Sequence, residues 1–166
     1  MWIFTYGLFV WQINFEYKDS VIGFVPEHQR SFSLKSKARW GTENEPGLVL
    51  NIEKNKNENV YGVAYNLDKE AILKMDEIEG DPYEKYLVKF VPNDSKYNNI
   101  KCFAYFCKTN IPLYVGISDI DNQALIISKS KGSQGNNYEY VFNLRDKMME
   151  INLPVDQYLE SLYQKL

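Results

Sequence analysis

Trp2-Ile3-Phe4-Thr5-Tyr6-Gly7-Leu8-Phe9-Val10-Trp11 is the stretch on which the fold turns. Its first half is aromatic, β-branched and uncharged, the composition of a strand. Gly7 then falls inside an apolar run where no surface turn is wanted. A glycine there marks a bend, or a place where backbone comes close to something else. On periodicity alone the stretch is a buried strand kinked at Gly7. The other reading is a loop whose bare N–H groups hold an anionic part of a small molecule.

Short apolar runs separated by polar turns follow. Ile13 to Tyr17, Val21 to Val25, and His28 to Leu34, where Phe32 and Leu34 alternate with polar residues, read as strands. Trp40 to Gly47 is a loop by its Gly and Pro content. Leu48 to Ile52 and Val60 to Leu67 read as a hairpin around the charged, Asn-rich Glu53 to Asn59, which is expected to be solvated loop. Asp68 is placed to cap a helix in which Ala71, Ile72, Met75 and Ile78 recur at helical spacing, and Gly80-Asp81-Pro82 stops it. Tyr86 to Val91 and Ile100 to Cys107 return to strand around the polar Asn93 to Asn99.

The last third is helical. Ser118 and Asp121 suggest a capping box for a helix that turns Ile120, Ala124 and Ile127 inward and ends at Gly132. Asn137 to Glu150 carries Val141, Phe142, Leu144 and Met148 on one side. Val155, Tyr158, Leu159, Leu162, Tyr163 and Leu166 make the cleanest apolar stripe in the chain. Strands first and helices last predict an α+β fold. At 166 residues, with no internal repeat, a single domain over 1–166 is expected.

Composition narrows the function. The chain is 45% hydrophobic and 15% aromatic, which is globular rather than disordered. A formal charge of −3 and a pI near 5.3 argue against nucleic acid or an anionic membrane as partner. Asn14, Glu16, Lys18 and Asp19 close the first apolar run too early for a membrane span, and no basic segment precedes it as in a signal peptide, so a cytoplasmic protein is expected. Cys102 and Cys107 lie five positions apart in one strand-like run, hence on opposite faces, and read as buried small hydrophobes rather than a disulfide. The one histidine, His28, leaves no His-rich metal cluster and no nucleophile elbow beside it; it reads as structural.

The opening stretch resembles that of the ChaC-type γ-glutamylcyclotransferases, W-[IV]-F-G-Y-G-S-L-I-W, and the likeness runs nearly the length of the chain. Gly23, Arg30 and Phe32 fit the family's V-x-G-Y…R-R-F, and Pro46 to Val49 fit K-P-G-x-V. Tyr61 to Tyr65 is W-G-V-A-Y with a tyrosine first, and Tyr114-Val115-Gly116 matches Y-L-G. Gly132 to Phe142 matches G-x-S-G-x-N-x-E-Y-L-F. Each motif is weak alone; their common order makes the resemblance specific. Met75 to Tyr83 resembles L-D-x-R-E-x-x-G-Y, whose second acidic residue is the family's catalytic glutamate, here Glu79.

There are departures too. Leu8 replaces the serine of Y-G-S-L and Thr5 a glycine. Ser31 and Ile78 replace arginines, and Ser36 to Gly41 keeps only two of the six types in S-T-D-H-R-G. The chain thus looks like a diverged member.

The resemblance implies a small closed or strongly curved mixed β-barrel with helices packed around it. It also implies a cofactor-free, metal-independent lyase that degrades glutathione. The substrate's own α-amine attacks its γ-carbonyl, giving 5-oxoproline and Cys-Gly. Such a site needs an anion grip, a bent substrate and one group that takes and returns a proton. Ile3, Phe4, Thr5, Tyr6, Gly7 and Leu8 are implied as the substrate-binding stretch. Glu79 is implied as the proton carrier, a role that asks for burial to raise its pKa toward neutrality. Phe9, Tyr114, Glu139 and Tyr140 are read as pocket support, with capping and packing of the 137–150 helix as the other reading of the last three. The rival functions are a non-catalytic descendant that binds a γ-glutamyl or amino-acid ligand, and a protein-interaction domain.

Overall fold

Trp2–Thr5 forms strand β1, and the chain then breaks at Gly7 into one short helical turn, α1 (Leu8–Trp11). The computed structural model describes residues 1–166. Next come β2 (Asp19–Ser36), β3 (Gly47–Asn66), α2 (Lys69–Glu79), β4 (Tyr83–Val88), β5 (Val91–Pro92) and β6 (Cys102–Cys107). The last third holds α3 (Ile120–Lys129), the two-residue strands β7 (Lys131–Gly132) and β8 (Gly135–Asn136), α4 (Asn137–Glu150) and α5 (Gln157–Lys165). The fold is α+β, with a six-stranded mixed sheet in the order β4-β6-β1-β3-β2-β5.

The expected closed barrel is not formed. The sheet is open, with β4 at one edge and β5 at the other. Those edges are successive pieces of chain joined through Lys89 and Phe90, not by a ladder. Strand β5 is two residues long and ends in Pro92, which has no N–H to extend pairing. Beyond its pairing with Gly23 and Phe24, Val25–His28 of β2 and Tyr86–Lys89 stand apart across an open groove of about 460 Å³. His28 lines that groove, its Nδ1 2.8 Å from the Pro26 carbonyl oxygen and its ring edge-on to Phe106.

Contacts divide the chain into two units, Met1–Gln29 with Lys54–Lys108, and Arg30–Glu53 with Thr109–Leu166; β2 and β3 each run from one into the other. In the first unit β1 pairs antiparallel with β3 (Phe4 opposite Ala64) and parallel with β6 (Phe4 opposite Ala104). Strand β4 continues antiparallel to β6, with Lys85 opposite Tyr105. Ile3, Phe4, Ala64, Met75, Cys102 and Ala104 are its buried core. Asp68 caps α2 through the Ala71 N–H at 2.9 Å, as its sequence predicts. Both cysteines are free and buried, and burial pushes the Cys102 thiol up to about 12.

In the second unit Ile127, Val141, Leu144, Met148, Leu159 and Leu162 of α3–α5 are buried, as are Phe32, Leu34, Leu48 and Leu50. Arg30, its side chain wholly buried, meets Asp156 at 2.5 Å, and the other oxygen of Asp156 accepts the Leu159 N–H to cap α5. The Tyr158 hydroxyl accepts from the Phe32 N–H and donates to Gln123.

Four local expectations change. Glu53 to Asn59 is not a loop but part of the unbroken β3; its Lys, Glu and Asn side chains stay largely exposed while the backbone continues beside β2. Ile13 to Tyr17 forms no strand. Phe15 alone is buried there, held edge-on by Phe9 and Tyr65, while Ile13 is exposed. The strand expected over Tyr86 to Val91 begins three residues earlier and breaks at Lys89-Phe90. Helix α3 starts after Asp119 rather than at a Ser118 box, and ends at Lys129 because Lys131–Gly132 pairs with Gly135–Asn136.

Candidate active site

The first element of the site hangs from the middle of the sheet. Thr5 closes β1, its hydroxyl donating to the Val63 carbonyl at 2.9 Å. Tyr6 is buried and its hydroxyl donates to the Tyr105 main-chain carbonyl at 2.7 Å. Gly7 (φ −132, ψ −120) is neither extended nor helical and stands at the cap position of α1. The Val10 N–H returns to the Gly7 carbonyl and the Gln12 N–H to that of Leu8. A helix start does not use its first N–H groups internally, so those of Leu8 and Phe9 are not spent inside α1. Ile3 and Phe4 are fully buried strand side chains, and Phe9 is buried against Phe15.

The second element is the end of α2. Glu79 is its last residue and is half-buried. Gly80 follows at φ 65, a left-handed position suited to glycine, and its N–H closes the helix on the Asp76 carbonyl. Asp76, three residues before Glu79, accepts from Lys85 Nζ at 2.7 and 2.8 Å and from the Tyr105 hydroxyl. The Tyr105 phenol is held far above its ordinary pKa by burial first, then by its bond to Asp76 and the charges of Asp76 and Glu79.

Tyr105 thus joins the two elements: its carbonyl holds Tyr6, and its phenol bonds Asp76 within electrostatic reach of Glu79. All of these residues belong to the first unit. Tyr114, Glu139 and Tyr140 belong to the second. There Tyr114 bridges to Leu34. The Glu139 carboxylate accepts the Asn136 N–H at 2.6 Å at the start of α4, and Tyr140 is buried edge-on to Phe32 and Trp40.

Sequence reasoning passed over Asp76, Lys85 and Tyr105. Asp76 was detectable as a second carboxylate one turn from Glu79. Lys85 and Tyr105 carry no local signal, because only the β4–β6 register makes them neighbours. No group of three or more His, Cys, Asp or Glu side chains is arranged to hold a metal ion. No helix is long and apolar enough to cross a membrane.

Known proteins resemble this chain in sequence and in fold. The family model described as ChaC-like protein matches residues 1–166. The glutathione-specific gamma-glutamylcyclotransferase 1 of Homo sapiens is 31% identical over 154 residues, covering 89% of this chain and 69% of that protein. The protein of the same name from Mus musculus is 30% identical over 169 residues, covering 98% and 76%. A solved gamma-glutamyl cyclotransferase specific to glutathione from yeast superposes with a TM-score of 0.89 over 99% of this chain and 94% of its own; at 17% identity that likeness is one of fold. Sequence over the full length and fold agree, and the chain belongs to the ChaC-like protein family.

Proposed function

We propose that this chain is a glutathione-specific γ-glutamylcyclotransferase. The observation that carries the reading is the meeting, at Tyr105, of the Tyr6–Gly7 turn and the Glu79 end of α2, in a chain whose relatives bear that activity in their names. Backbone N–H groups along Ile3–Leu8, chiefly those following Gly7, grip the glutamyl α-carboxylate, so Leu8 in place of a serine leaves the grip intact. Held bent, the substrate presents its α-nitrogen to its own γ-carbonyl, and intramolecular attack gains most from such positioning. The Glu79 carboxylate takes a proton from the α-ammonium, and the freed amine adds to the γ-carbonyl carbon. The bond to the cysteinyl nitrogen then breaks as that nitrogen receives the proton back from Glu79, and the lactam nitrogen sheds its one excess proton by way of the Glu79 carboxylate to the released amine, which departs as an ammonium. The products are 5-oxoproline and Cys-Gly, with no water, metal or cofactor consumed. Phe9, and in the second unit Tyr114, Glu139 and Tyr140, are supports in this reading, with Glu139 and Tyr140 acting by capping and packing. The protein works in the cytoplasm.

A second reading, a pocket that binds a γ-glutamyl ligand without turnover, is favoured by one observation. Within the altered Ser36 to Gly41 segment, Trp40 is buried against Tyr140 rather than offered to a ligand. Incubation with glutathione and measurement of 5-oxoproline separates the two. Glu79→Gln keeps shape and hydrogen-bonding length but cannot carry the proton, so lactam formation should fall about 10²–10⁴-fold with binding little changed. Glu70→Gln is the control, an exposed helix carboxylate paired only to Lys74 across one turn. Full activity in Glu79→Gln removes Glu79 from the mechanism; a wild type that binds but does not turn over establishes the second reading.

A further inference from the structure

We infer that Asp76, clamped by Lys85 and Tyr105, is a positioning residue that fixes the last turn of α2 and sets the proton affinity of Glu79. The inference rests on the reading of Glu79 as proton carrier and deepens it. Asp76 and Glu79 are three apart on the same helix, so their side chains are neighbours on one face. Lys85 and Tyr105 are direct cross-strand partners in the β4–β6 ladder, which makes them a two-pronged receptor for one carboxylate. Lys85 bonds both Asp76 oxygens and its ammonium lies 5.6 Å from the centre of the Tyr105 ring, while the Tyr105 hydroxyl takes one of the same oxygens. Helix ends fray more readily than helix middles even where a glycine cap closes the backbone, as Gly80 does here. Two strands of the sheet also hold this end, one residue short of a full turn before Glu79.

The clamp also has an electrostatic consequence. The last turn of α2 contains no basic residue, and the C-terminal end of a helix dipole disfavours added negative charge. Asp76 therefore biases Glu79 toward its protonated form, and Lys85 offsets part of that bias. The other titratable groups near this corner are the exposed Glu77 and Asp81, each two residues from Glu79, the Tyr105 phenol from β6, Tyr83 at the start of β4, and Lys108, whose main-chain N–H bonds the Pro82 carbonyl; all of them are unchanged in Asp76→Asn and Lys85→Gln. Glu84, bonded to Tyr86 and 3.7 Å from Lys108, alternates to the opposite face of β4. Removing Asp76 should thus lower the Glu79 titration midpoint and removing Lys85 should raise it, opposite signs that loss of packing alone does not produce.

The test is a carbon-13 NMR titration of protein labelled at the glutamate carboxyl carbon, with Glu79 assigned by its absence in Glu79→Gln. In Asp76→Asn the Glu79 midpoint should fall by at least about half a pH unit, the effect of one charge at about 6 Å even in water-like screening. In Lys85→Gln it should rise. Tyr105→Phe, which changes no charge, should move it less than either. Midpoints that stay put, or move the same way in Asp76→Asn and Lys85→Gln, overturn the inference. The pH profile of kcat/KM with glutathione should shift with the NMR midpoints. A wild type that forms no 5-oxoproline defeats the proposed reaction, while the NMR midpoints still decide the role of Asp76.

Discussion

Asn137 offers a sharp test of how the second unit is held. It is the first residue of α4, completely buried, and it treats Leu48 of β3 as a neighbouring strand would. Its Oδ1 accepts the Leu48 N–H at 2.7 Å and its Nδ2 donates to the Leu48 carbonyl at 2.9 Å. The fit is close: a Cβ on Gly47 would lie 2.6 Å from Asn137 Oδ1 and 2.1 Å from the Trp40 carbonyl oxygen. Asn137→Ala strands two buried backbone groups, each costing about 1–3 kcal/mol. A water entering the vacated space offsets part of this, which leaves about 2–4 kcal/mol. For a chain of this size that lowers Tm by roughly 4–16 °C.

Asn137→Asp keeps the shape but turns the donor into a second acceptor facing the Leu48 carbonyl. Its carboxyl should have a raised folded pKa, because only the protonated form can donate. The deficit should therefore shrink below about pH 4, the unfolded value, and grow as pH rises through the folded one. Urea denaturation of both variants between pH 4 and 8 measures this. Losses below about 0.5 kcal/mol in Asn137→Ala, or a pH-independent Asn137→Asp, would refute the pairing as a source of stability.

Arg30→Met should destabilise by about 3–5 kcal/mol, because it leaves Asp156 largely buried without its cation, and Arg30→Met with Asp156→Asn should recover part of the loss in a double-mutant cycle. At high pH the buried Tyr65 and Tyr158 phenols, raised above their ordinary value chiefly by burial, favour the folded state fully below about pH 10, and that contribution is lost as pH rises through their folded values. Tyr65→Phe should flatten the alkaline decline seen by urea titration between pH 8 and 11; an unchanged decline rules Tyr65 out as its source.

What could be read from the chain depended on whether side chains or pairing decided the outcome. The bounds read for α4, Asn137 to Glu150, rest on its apolar side, a local signal, and they match the structure residue for residue; the Asn136–Glu139 capping box at its start was passed over. Asp68 and Gly80 bracket α2 for the same reason. Glu53 to Asn59 misled because polar side chains indicate exposure, and an exposed ladder is still a ladder. Closure of the sheet was equally beyond reach, since it depends on where β4 ends and β5 stops, a matter of two residues and one proline. At the site, the family resemblance drew attention to Glu79 and the Gly7 bend. The Asp76–Lys85–Tyr105 cluster stayed hidden until the β4–β6 register was known.

The strand order of the first unit carries a consequence for motion. Strand β1 has a hydrogen-bonded neighbour on each side, β3 and β6, so its amide protons should be among the last to exchange with solvent. Strand β4 borders β6 alone, and its outer amides should exchange early. The Tyr6–Gly7 turn is therefore tethered to the slowest-opening part of the unit, while Asp76 at the end of α2 is held twice, by Tyr105 from the inner strand β6 and by Lys85 from the edge strand β4. Local opening of the β4 edge would thus release one of the two holds on α2 and leave the other, so the end of that helix should loosen in two steps rather than one.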